Sequence, residues 1–165
     1  MDRRSFNTRA TGILIGSSLP LYGKQDRIRI GQIGLAHPHA TGKLSAIRSL
    51  PETYDLVGVV EPDPSLRKRA KGVNFLSLDQ LMNKKGLQAV AIETRVKDLV
   101  TTALPVIEAG LHIHLDKPAG PALGPFEKLL ASAKRQGLGV QMGYMLRYNS
   151  AFEFMFKAVR EGWFG

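Results

Sequence analysis

Short runs of apolar and β-branched residues alternate with segments whose apolar positions recur at helical spacing, and this alternation runs over residues 24–165. Residues 27–34, 55–61, 74–76, 87–93, 111–115 and 139–142 read as strands. The first predicted helix, 38–50, is stopped by Pro51, and the second begins at Asp63-Pro64, a capping residue followed by proline at the first helical position. Ser77 caps a small third helix. A fourth, 96–109, ends at Gly110; a fifth runs from Gly124-Pro125 to Gly137; an amphipathic sixth covers 150–161. Pro105, inside the fourth helix, removes one backbone hydrogen bond and should bend it. Six strands separated by helices predict an α/β fold with a doubly wound parallel sheet, because each parallel pair needs a crossover.

Composition agrees with one folded unit that has a core: of 165 residues, 44% are hydrophobic and 22% charged. The formal net charge is +9, but the basic residues are scattered through the predicted helices without an aromatic-interleaved stripe, which argues against a nucleic-acid partner. The absence of cysteine excludes disulfides, thiolate metal sites and a cysteine nucleophile, and leaves the compartment open. Residues 1–23 stand apart. Arg3-Arg4-Ser5-Phe6 precedes a weakly apolar stretch broken by Gly, Ser and Pro, a pattern that resembles a twin-arginine export signal. The stretch is too short to span a bilayer. A periplasmic protein is therefore expected, or a cytoplasmic one if the signal is vestigial.

The first strand ends in Gly34-Leu35-Ala36-His37-Pro38-His39. A strand-turn-helix junction of this kind aims backbone N–H groups and the positive end of a helix dipole at one spot, which suits the pyrophosphate of a dinucleotide. Against the fingerprint G-x-G-x-x-G, Gly34 keeps the first glycine, while Ala36 and His39 replace the others. Glu61, at the end of the second strand and about twenty residues further on, stands where a carboxylate accepts both adenosine ribose hydroxyls. A carboxylate there also repels a 2′-phosphate, so NAD is expected ahead of NADP. His37 and His39, like His112 and His114, form an H-x-H pair. No carboxylate has matching spacing, so no metal site is predicted and His37 and His39 are expected to line the cofactor crevice.

Three later stretches narrow the picture: Val90-Ala91-Ile92-Glu93-Thr94-Arg95, then 109–118 with Asp116-Lys117-Pro118 at its end, then 140–148 with Gly143-Tyr144 and Arg147. With the glycine turn they resemble the Gfo/Idh/MocA oxidoreductases, and Asp116-Lys117-Pro118 looks like that family's Glu-Lys-Pro. The resemblance implies a Rossmann domain and NAD(P)-dependent hydride transfer on a sugar, cyclitol or related polyol. It places Lys117 beside the nicotinamide and the reacting hydroxyl, as the group that orients substrate and exchanges its proton. It also implies cofactor contacts for Gly34, Leu35, Ala36, His37, His39, Glu61, Thr94, Arg95, Asp116 and Arg147, although a solvent-facing arginine is an equal reading of Arg147. Arg95 departs from the family's Thr-Pro, and Asp116 shortens the glutamate that braces the loop. Glu161-Gly162-Trp163-Phe164-Gly165 looks like the hinge into the family's second α/β domain, which supplies the substrate pocket and is absent from this chain. The resemblance therefore leaves three readings: the cofactor half of an oxidoreductase, of an NAD-dependent glycosidase, or a non-catalytic nucleotide-binding remnant. An oligomer is possible for the full-length form.

Overall fold

The computed structural model describes residues 27–165. The export-signal reading of 1–23 lies outside the described residues. Strands β1 (Ile28–Ile33), β2 (Tyr54–Val60), β3 (Ala89–Ile92), β4 (His112–Leu115) and β5 (Val140–Met142) form one five-stranded sheet in the order β2-β1-β3-β4-β5. Every neighbouring pair is parallel. The expected sixth strand, 74–76, is reduced to a single bridge between Phe75 and Val59. Val59 N–H donates to Asn74 O and Leu76 N–H to Val59 O, each at 2.9 Å. Ser77 then caps the next helix, so the chain must turn before a ladder can grow. Because this bridge lies against β2, the spatial order is still that of a Rossmann fold, reversing between β1 and β3.

The helices are α1 (Ala40–Arg48), α2 (Pro64–Arg67), α3 (Leu78–Met82), α4 (Leu99–Glu108), α5 (Leu123–Arg135) and α6 (Ser150–Arg160). Capping explains several of their starts. Asp63 accepts from Ser65 N–H, Ser77 and Gln80 form a reciprocal capping box, and Asn149 accepts from Ala151 N–H. Helix α1 begins at Ala40, later than the expected residue 38, because Pro38 and His39 complete the turn and Ala40 N–H bonds to His37 O. The fourth helix is split, with a tight 3₁₀ turn Val96–Asp98 before α4. Pro105 does not end α4. Among the described residues no helix is long and apolar enough to cross a membrane.

Val90, Ile92, Leu99, Ala103, Ile107, Leu115 and Leu129 are fully buried between β3, β4 and helices α4 and α5. Each large aliphatic among them contributes about 1.5–3 kcal/mol by leaving water. That packing fixes the register on which the site depends. Ile33 pairs with Val60 on one side and Ile92 on the other, Ile92 with Leu115, and Leu115 with Met142. The next residue of each strand therefore emerges at the same level, giving the row Glu61, Gly34, Glu93, Asp116, Gly143.

Candidate functional site

That row is the floor of the site. Gly34 has φ +93°, and a Cβ placed there would lie 2.8 Å from the backbone of Glu93 and Thr94, so only glycine allows this approach. Its N–H bonds to Val60 O at 2.8 Å, and the buried amide of Gln32 ties the Gly34 and Ala40 carbonyls together at 3.1 and 3.2 Å. Glu61 is 4% exposed; its carboxylate accepts Leu35 N–H at 2.7 Å and Asp63 N–H at 2.9 Å. Each oxygen carries two lone pairs, so the side chain retains acceptor capacity toward a ligand. Arg67 donates to Glu61 O at 2.7 Å and lies over the Phe75 ring. Asp63, next to it, is held below the usual carboxylate range by its hydrogen bonds from Ser65.

A cavity of about 990 Å³ opens here, lined by Gly34, Ala36, Glu61, Arg67, Thr94 and Arg95. It brings together five of the expected contacts on three different strand ends. Leu35 is fully buried and does not line the cavity; its N–H is taken up by Glu61. His37 and His39 do not line the cavity. His37 is buried behind the turn, its N–H donating to Glu93 O, while the N–H of His39 bonds to His37 Nδ1 at 3.2 Å. Arg147 stands in a separate cleft of about 630 Å³ on the sheet face, with Lys43, His114 and Gln141.

Behind the turn, His37, His39, Glu93, His114 and Asp116 converge. His39 Nδ1 lies 3.1 Å from Asp116 Oδ2, and Lys117 N–H donates to Asp116 Oδ1 at 2.6 Å. Burial raises the Asp116 carboxyl, but the Lys117 N–H and the two histidines outweigh it and hold the group below its ordinary range. Glu93 is fully buried, and burial, then the Asp116 charge, push it up to about 8. Burial, then Lys43, pull His114 down to about 4; burial also lowers His37 against the pull of Asp116. Lys117, half-buried, follows Asp116 and lines neither cavity.

Sequence reasoning passed over Gln32, gave Glu93 no role of its own and set His114 aside with its H-x-H pair. The expectation of no metal site rested on H-x-H spacing without a carboxylate nearby in the chain. The fold supplies carboxylates from the ends of β3 and β4, a convergence set by register and invisible to spacing. The usable signal was an acidic residue directly after each of two strands, Glu93 after β3 and Asp116 after β4.

Residues 28–144 match the model of an oxidoreductase family with an NAD-binding Rossmann fold. This chain belongs to the Gfo/Idh/MocA oxidoreductase family. It is similar to an uncharacterized oxidoreductase, YhhX, of Escherichia coli, with 31% identity over 94 residues, or 56% of this chain and 27% of that protein. Among solved structures, the WlbA dehydrogenase of Bordetella pertussis superposes with a TM-score of 0.73 at 22% identity, covering 84% of this chain and 43% of the other. The scyllo-inositol dehydrogenase of Lactobacillus casei does so with a TM-score of 0.73 at 22% identity, over 84% and 42%. The Gfo/Idh/MocA chain described here thus spans less than half the length of these relatives, and what it shares with the solved ones is the fold of their cofactor domain.

Proposed function

We propose that this chain is the NAD-binding unit of an oxidoreductase that transfers hydride on a sugar, cyclitol or related polyol. The observation that carries the reading is Glu61, braced by the glycine turn at the strand-order reversal and lining the cavity beside Gly34, Thr94 and Arg95. The WlbA structure holds NADH and UDP-GlcNAcA, and the inositol dehydrogenase holds NAD(H) and scyllo-inositol, which supports both the cofactor and the substrate class. A nicotinamide cofactor supplies the hydride chemistry in such a site. Glu61 accepts the ribose hydroxyls. The start of α1, where His39 gives no side-chain cap, offers N–H groups to pyrophosphate. Thr94 and Arg95 border the nicotinamide ribose, and Lys117 exchanges a proton with the substrate hydroxyl at Nζ.

Titrating the chain with NADH and NADPH, followed by nicotinamide fluorescence, tests the assignment. NADH should bind at least about tenfold more tightly, equivalent to about 1.4 kcal/mol, and Glu61→Gln should narrow that gap. Equal affinities, or preference for NADPH, would remove Glu61 from the discriminating role. We also propose twin-arginine export from the pattern at Arg3 and Arg4. Replacing both by lysine should stop export without changing the melting temperature of the folded domain; normal export of that variant would refute it.

A further inference from the structure

We propose that Glu93, His114 and Asp116 form a binding site for one divalent first-row metal ion, zinc by the chemistry of its ligands, with the fourth position open toward His37. The three ligand atoms lie within 4.8 Å of one another, and they come from the ends of β3 and β4. Their side chains are almost withdrawn from water: 0% exposed for Glu93, 1% for Asp116 and 12% for His114.

One separation lies between two of the ligands, and two others span the open position at His37. His114 Nε2 is 3.9 Å from Glu93 Oε1, His37 Nδ1 is 3.6 Å from Glu93 Oε2, and His37 Nδ1 is 3.4 Å from Asp116 Oδ2. All three exceed the roughly 2.7–3.2 Å of a good hydrogen bond. They approach the edge of a tetrahedron whose centre is about 2.0–2.1 Å from each ligand, which is about 3.3 Å. Both Glu93 oxygens and His114 Nε2 are buried without a hydrogen-bond partner. Unpaired buried acceptors facing one another are costly, and a cation between them removes that cost.

Tautomer and charge agree with the separations. His114 Nδ1 faces Gln141 Oε1 at 3.5 Å, so a proton on Nδ1 would point to that oxygen and leave the Nε2 lone pair on the side of Glu93. An outer acceptor of this kind commonly orients a metal-binding histidine. Two carboxylates and a neutral imidazole balance a divalent charge, and the mixture of imidazole and carboxylate suits zinc. The positive charge of Lys43 in α1 is felt at Glu93 and that of Lys117 at His37. The inference goes beyond the dinucleotide reading and does not depend on it.

The test uses the whole chain, stripped with a chelator and titrated with Zn²⁺ by calorimetry and with Co²⁺ by visible absorption. About one ion per chain should bind, and Co²⁺ should give the intense ligand-field bands of a low-coordinate site. Glu93→Gln and His114→Gln should each weaken binding at least about a hundredfold, and Gln141→Leu about tenfold. His112→Gln, an exposed histidine on the same strand, should leave affinity unchanged. If Glu93→Gln fails to fold by circular dichroism, His114→Gln, nearer the surface, decides the matter. The proposal is overturned if no stoichiometric ion binds, or if these variants bind as well as the parent, in which case a proton shared by Glu93 and Asp116 holds the cluster together. NADH affinity measured on the metal-free chain keeps failure here distinct from failure of the cofactor reading.

Discussion

Gly34→Ala should cost the domain about 2–4 kcal/mol and abolish measurable NADH binding, while Gly42→Ala, only eight residues on, should be neutral or slightly stabilising. The contrast follows from two local environments. At Gly34 the backbone is left-handed at φ +93°, which disfavours any side chain, and the new methyl would sit 2.8 Å from the Glu93 carbonyl and the Thr94 nitrogen. Backbone atoms just past the end of β3 cannot give way as a flexible side chain would, so the turn must move instead. Moving it parts Leu35 N–H from Glu61 and His37 N–H from Glu93 O, both of which shape the crevice floor. At Gly42, in α1, a Cβ meets nothing within 4 Å, and alanine is the better helix former by roughly 1 kcal/mol. Urea unfolding monitored by circular dichroism gives both stabilities. Similar stability for the two variants would mean that the close approach of turn and β3 is not what holds the site.

The same turn marks how far the sequence carries. Strand-turn-helix alternation, the caps at Asp63 and Ser77 and the acidic end of β2 are local signals, and each lies where its chemistry predicts. The loss of 74–76 as a strand is also local in origin, since the cap at Ser77 competes with the ladder. What could not be read was lateral: which strand ends stand at one level. Glu93 looks like a polar residue after an apolar run until the pairing of Ile33 with Ile92 and of Ile92 with Leu115 sets it between Gly34 and Asp116. In the linear motif His37 and His39 likewise look like crevice lining. The need to bring His37 N–H to the Glu93 carbonyl turns the loop inward and buries the first of them. Arg147 sits in a 3₁₀ turn after β5 and faces the other cleft, a placement no spacing rule encodes.

Lys117→Ala should leave NADH affinity within about tenfold, or about 1.4 kcal/mol, yet slow hydride transfer by on the order of a hundredfold or more. The split is expected because the lysine is anchored by its backbone and acts through its side chain. Its N–H donates to Asp116 Oδ1 at 2.6 Å, a bond that alanine retains, so the end of β4 and the Asp116–His39 contact survive the substitution. What is lost is the ammonium group of the residue after Asp116, to which we assign proton exchange with a substrate hydroxyl. The measurement belongs on a longer protein that carries this domain, with binding and single-turnover hydride transfer followed separately at the nicotinamide absorbance. Asp116→Asn provides the contrast. It removes the charge that pairs with His39, so it should disturb the cluster and the transfer rate together. If Lys117→Ala instead abolishes NADH binding, the side chain is a phosphate or structural contact; if it leaves the transfer rate unchanged, the proton passes through another group.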